Sequence, residues 1–210
     1  MDNPDGALGR HLRRRRKAMG LPLQRIADRA GISVGHLSQI ERGLSSPSVR
    51  DLIRIAESLD ASAGDFLDQA SDQDGDQTDD WSAGVSVSGG ADPIMVRRAR
   101  RTPVMLKNGI AKRLLTPQDE APLKLFMVTL APGSTTGDEL YTHEGTEAGL
   151  VLEGRIALIV EDRDMLLEAG DSFRFASLRP HRFMNAHDGE SRVLWVNCAM
   201  PASGSASGSG

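Results

Sequence analysis

Apolar positions change their period about a third of the way along the chain. Up to about residue 68 they recur at the three-to-four spacing of amphipathic helices. Leu23, Ile26, Ala27 and Ala30 share one face of a segment over residues 22–30, with Pro22 tolerated in its first turn. Leu37 and Ile40 lie on one side of a second segment, which Ser33 can cap, which runs to about Arg42 and which Gly43 ends. A third carries Val49, Leu52, Ile53 and Ala56 together, with Ser48 as N-cap and Asp51 in its first turn. With a helix from Leu8 to Met19 before these and a last turn from Ala63 to Leu67, the pattern predicts five helices, closed by Phe66 and Leu67.

From about Ile94 to Ala199 the period is two. Runs such as LKLFMVTL, GLVLEG, RIALIVE and RVLWVNC alternate between apolar and polar positions. Turn residues separate them at Pro132-Gly133, Glu153-Gly154 and Ala169-Gly170-Asp171. Roughly ten short strands predict a double-sheet jelly roll or a closed barrel, which would remove exposed sheet edges. Cys198, beside Trp195 and Val196, reads as a strand-core thiol.

Two periods imply two domains, an all-α unit over residues 8–68 and an all-β unit over residues 93–200. Between them, residues 69–92 contain five Asp from Asp72 to Asp80 and read as an acidic flexible linker. Asp72, Asp74 and Asp76 alternate around Gly75, but the closing Glu of a calcium loop is missing. Residues 1–7 and the low-complexity tail 201–210 are expected to be disordered.

Charge sharpens the picture locally. The whole chain has formal net charge −4, yet residues 1–68 hold 11 Lys and Arg against 9 Asp and Glu. The run Arg13-Arg14-Arg15-Arg16-Lys17 lies within a helix, so only part of it can face one phosphate backbone. A single Cys excludes an intrachain disulfide framework and fits a reducing cytoplasm. A polar, arginine-rich start and the lack of any long apolar run predict a soluble protein without signal peptide or membrane span.

The two short helices around Gly31 make a helix-turn-helix. Its A-x-x-x-G-x-S (Ala27, Gly31, Ser33), L-S-x-I-E-x-G (Leu37 to Gly43) and S-P-S (Ser46 to Ser48) signatures resemble the Xre-type family of phage-repressor-like DNA-binding domains. That resemblance implies that Ser33, Val34, Gly35, His36 and Gln39 approach base edges or nearby phosphates. Gln39 is the best base reader, since its amide can pair with adenine N6 and N7, whereas Val34 can touch only a thymine methyl. Arg25, Arg42 and Arg50 are candidates for phosphate contacts or, equally, solvated surface arginines.

In the second half, the spacing Tyr141-x-His143-x3-Glu147-x6-Gly154 is followed by Gly170-Asp171 and Pro180-His181-x3-Asn185. It resembles the two motifs of the cupin superfamily, whose first motif supplies two His and a Glu, and whose second supplies one His, to a metal inside the barrel. His143, Glu147 and His181 match that set; Tyr141 stands in place of the first His. Two His and one carboxylate can hold Zn, Fe or Mn. The same residues can instead hydrogen-bond an amine, with Glu147 as counter-charge and Asp138, Glu139 and Glu144 steering cations inward. Tyr141, His143, Glu147 and His181 are the ligand-binding candidates in either case.

The order, Xre-type domain then linker then cupin, resembles bacterial transcriptional regulators whose cupin half senses a small metabolite. The cupin wording is similar to that of repressors controlling putrescine utilisation, whose ligand is a polyamine. The resemblance implies a cytoplasmic, nucleoid-associated repressor that binds double-stranded operator DNA. One recognition helix reads few bases, so a homodimer on an inverted repeat is expected, with the cupin as platform. Two other functions remain open: a DNA-tethered metal-dependent cupin enzyme, and an antitoxin-like repressor whose barrel only dimerises.

Overall fold

Five helices build the first unit: α1 (Pro4–Ala18), α2 (Leu23–Ala30), α3 (Val34–Glu41), α4 (Val49–Ser58) and α5 (Ala63–Gln69). The computed structural model describes residues 4–69, 94–98, 101, 103–117 and 121–199, and the chain divides into two units. The predicted linker and tail lie essentially outside the described residues. The first helix begins at Pro4, so residues 4–7 of the stretch expected to be disordered are helical. Proline is compatible with a first helical turn, where its missing amide breaks no bond.

Leu8, Leu12, Ile26, Leu37, Ile40, Leu52, Ile55, Leu59 and Phe66 form the buried core of this unit. The approach of α1 to α3 depends on Gly9. A Cβ built there would lie 2.1 Å from the Ile40 carbonyl oxygen, so any side chain would push the two helices apart. Two turns further along, Arg16 donates from Nε and Nη2 to both oxygens of Glu41, at 2.6 and 2.8 Å. Glu41 is only 6% exposed. Bonding to Glu41 raises the Arg16 pKa above its ordinary value despite the opposing cost of burial. Arg15 donates to the Leu59 and Asp60 carbonyls. Part of the basic run therefore fastens helices together, while Arg13, Arg14 and Lys17 are exposed.

The second unit is antiparallel. Its strands are β1 (Val104–Leu106), β2 (Ile110–Leu114), β3 (Leu123–Leu130), β4 (Thr146–Glu153), β5 (Arg155–Val160), β6 (Arg163–Glu168), β7 (Ser172–Ala176), β8 (His181–Asn185) and β9 (Ser191–Cys198). They form a six-stranded sheet, β1-β2-β3-β9-β4-β7, and a three-stranded sheet, β6-β5-β8. Strict alternation puts Phe126, Val128, Leu130, Val193 and Trp195 of the large sheet in the core, with Ile156, Leu158 and Phe183 from the small one. Trp195 sits edge-on to Phe173 and tilted against Phe183, with ring centroids 4.8 and 4.6 Å away.

The two-sheet architecture follows the alternating pattern, but among the described residues the ladders do not close into a barrel. The segment that would extend the closure, residues 131–145, pairs with β8 along the backbone at two isolated bridges, Thr135–Met184 and Tyr141–His181, and Thr136 Oγ1 accepts from the Phe183 amide at 3.2 Å. Gly133, Gly137 and Gly145 all have positive φ there, which interrupts any continuous strand. Cys198 is a second departure from expectation. It is partly exposed, because it shares the outward parity of Leu194 and Val196 rather than the inward parity of Trp195.

Candidate functional site

The helical unit presents a polar surface at α3. Gly31, in left-handed conformation, ends α2 by returning its amide toward the Ala27 and Asp28 carbonyls. Ser33 then caps α3, its hydroxyl accepting from the His36 amide at 3.1 Å. Leu37 and Ile40 are buried on the inner side. On the other side Gly35, Gln39 and Arg42 are exposed, while Val34 and His36 are half-buried. Among the described residues, none has a contact within 4 Å of a Cβ built on Gly35 that would require glycine there. Arg25 is exposed on α2, Arg50 is half-buried at the start of α4, and Arg42 donates Nε to the Ser38 carbonyl. His36 Nε2 lies 3.4 Å from Asp51 Oδ2, a contact to α4 that the sequence did not suggest.

The second unit gathers its four candidates where the two sheets meet. Glu147 lies on β4 and His181 opens β8. Tyr141 and His143 come from the loop between β3 and β4, and three backbone bonds hold these two residues. Tyr141 and His181 exchange both amide bonds at 3.0 Å, and the His143 amide donates to the Ser177 carbonyl. Gly145 permits the turn into β4, since a Cβ there would stand 2.6 Å from the Cys198 carbonyl oxygen at a φ of +108°.

Within this frame His143 Nε2 is 3.1 Å from Glu147 Oε1, and His181 Nε2 is 3.4 Å from Glu147 Oε2. Ligand atoms of the three residues all lie within 4.8 Å of one another. Both Nδ1 atoms face backbone carbonyls, of Glu144 at 3.0 Å and Arg179 at 2.8 Å. A carbonyl only accepts, so each Nδ1 carries the proton, and in the neutral rings both Nε2 lone pairs point toward a carboxylate that also only accepts. Acceptor faces acceptor. Such a cluster calls for protons or a cation at its centre.

Tyr141 is 7% exposed and packs edge-on to His181 with ring centroids 4.4 Å apart. Burial, and then the nearby charge of Glu147, push its phenol well above the ordinary tyrosine value, although a bond with Thr136 pulls the other way. With no cation in the cluster the phenol stays protonated. The three remaining donors suit a divalent ion, because imidazole nitrogen and carboxylate oxygen are ordinary ligands for zinc, iron and manganese.

One neighbour escaped the sequence reading. Asn197 faces Glu147 directly across β9 and β4, and its Nδ2 donates to Glu147 Oε1 at 3.4 Å. Its inward parity with Val193 and Trp195, a polar residue at a core position, was the available signal.

A helix-turn-helix family matches residues 12–66 and a cupin-domain family matches residues 126–197. The HTH-type transcriptional regulator PuuR of Escherichia coli (strain K12) is 28% identical over 189 residues, which cover 90% of this chain and 92% of that protein. The HTH-type transcriptional regulator SinR of Bacillus subtilis is 32% identical over 77 residues, covering 35% of this chain and 69% of that one. Among solved structures, an HTH_3 family transcriptional regulator from Vibrio cholerae shares the fold with a TM-score of 0.65 at 23% identity, covering 94% of this chain and 97% of that one.

Proposed function

The chain belongs to the helix-turn-helix transcriptional regulators and carries a cupin domain, and from that premise we propose a repressor whose operator binding is controlled by a small cationic effector held at Glu147. The carrying observation is the cluster in which the Glu147 carboxylate faces the Nε2 atoms of His143 and His181. Glu147 and the two Nε2 atoms offer negative charge and lone pairs, with Tyr141 closing one side as an aromatic wall. A protonated amine satisfies such a cluster with several charge-assisted bonds. Polyamines and amino-acid-like molecules carry that head group. The exposed acids Asp138 and Glu144 would concentrate cations near the entrance.

DNA reading is assigned to α3. Ser33, Val34, Gly35, His36 and Gln39 approach the major groove, Gly35 allowing close approach, while Arg25, Arg42 and Arg50 contact phosphates. A homodimer on an inverted repeat supplies the second half-site. The outward face of the large sheet, with Leu150 and Leu152 exposed on β4, is the surface offered for it. Replacing Gln39 with Ala is expected to cost about 1–3 kcal/mol and to relax preference at one base position. Arg42→Ala should weaken specific and random DNA alike. Fluorescence anisotropy against a set of single-base operator variants separates the two patterns, and uniform loss for Gln39→Ala would remove it as a base reader.

The effector assignment is tested by thermal shift and operator anisotropy with a series of straight-chain diamines and amino acids. A melting rise together with changed operator affinity for one class is expected; no response to any amine would overturn it. A second reading, a DNA-tethered metal-dependent enzyme, rests on the three donors within 4.8 Å. His143, Glu147 and His181 would hold a zinc, iron or manganese ion, which would supply Lewis acidity to an oxygen-bearing substrate. Stoichiometric metal in the purified protein, lost in His181→Ala, would favour that reading.

A further inference from the structure

Inside the second unit, Asn197 occupies a position that an ordinary apolar strand residue would fill. It is paired in register with Glu147 on one side and with Lys124 on the other, in the row just inside the strand ends. The carboxylate dictates the orientation of its amide. Nδ2 faces Glu147 Oε1, so Oδ1 is the opposite end, and a flipped amide would set oxygen against oxygen. That Oδ1 atom is buried and accepts no hydrogen bond from any described residue. A buried carbonyl left in that state is costly unless water or a ligand supplies the donor.

We infer that Asn197 is a specificity-determining residue of the effector site, its Oδ1 accepting an N–H from the ligand head group. The inference rests on the amine reading above and adds the group that selects within it. A neutral amide oxygen beside a single carboxylate matches a head group of one positive charge with several N–H donors. A bare divalent ion is served better by a second carboxylate. Asn197 thus tips the cluster toward a protonated amine, and the choice between amide and acid at this one position decides the ligand class.

The test uses the full chain with butane-1,4-diamine and Zn(II) as separate probes, measured by isothermal titration. Asn197→Leu is expected to weaken diamine binding about 10- to 100-fold, as loss of a bond to a charged donor implies, and to leave Zn(II) affinity within about threefold. Asn197→Asp is expected to reverse the order, tightening Zn(II) about tenfold or more. Diamine binding unchanged in Asn197→Leu overturns the inference. Parallel loss of both probes in Asn197→Leu also overturns it, since that pattern means collapse of the cluster; the melting curve of ligand-free Asn197→Leu checks that its fold survives. A wild-type chain that binds Zn(II) but no amine removes the amine reading itself, and the inference with it.

Discussion

Replacing Arg16 with alanine is expected to lower the stability of the helical unit by about 3 kcal/mol or more, because it strands a buried carboxylate. Glu41 sits at the last turn of α3, 6% exposed, and both of its oxygens take bonds from one guanidinium. Removing the partner leaves a charge that water cannot reach, and breaking such a pair costs more than forming it contributes. For a domain of this size the loss corresponds to a melting shift of about 10–20 °C in its own transition. Operator binding should fall on specific and random sequences together, since the helix carrying Gln39 ends at Glu41. The double substitution Arg16→Met with Glu41→Leu should recover most of the stability, because an apolar pair needs no compensating charge. Calorimetry of wild type, both single variants and the double decides it. Additive losses in the double would mean that the two residues act separately.

The same pair marks where sequence pattern stops being informative. Periodicity finds Leu37 and Ile40 because burial of apolar residues repeats with the helix, and β3 is legible because LKLFMVTL is an apolar-rich run bounded by Pro122 and Pro132. It places Ser33, whose capping role needs only local chain geometry. It cannot say which arginine of five consecutive basic residues meets an acid 25 positions later, since that depends on how α1 crosses α3. Gly9 shows the same limit: a glycine inside a helical pattern looks like a flaw until the Ile40 carbonyl is found against it. In the second unit the spacing of His143, Glu147 and His181 was legible, and the structure brings the three together. The lack of barrel closure among the described residues was not, because strand propensity does not reveal that residues 131–145 form no continuous ladder with β8 and pair with it at two isolated bridges. Asn197 lay between these cases. Its parity was readable, but the significance of a polar residue there depends on the register with β4.

Glu147→Gln is expected to abolish the effector response while leaving effector-free operator binding within about twofold of wild type. The substitution keeps the shape of the side chain and replaces a charged acceptor with a half-donor. An amide at this position can donate to one of the two Nε2 atoms that now face Glu147, so the protein without effector is relieved rather than strained. A protonated amine loses its counter-charge and at least one charge-assisted bond, each of about 1.5–3 kcal/mol, or about 100-fold or more in affinity. The effect on DNA follows by linkage. An effector shifts operator affinity only by the difference between its affinities for the two arrangements of the protein, and coupling of about 1–3 kcal/mol is typical of such regulators. A variant whose effector affinity has fallen 100-fold cannot supply that difference at working concentrations. Operator affinity measured across an effector titration should therefore be flat for Glu147→Gln and sloped for wild type. A wild-type slope in the variant would take Glu147 out of the sensing site, and loss of operator binding without effector would assign it to the architecture of the regulator instead.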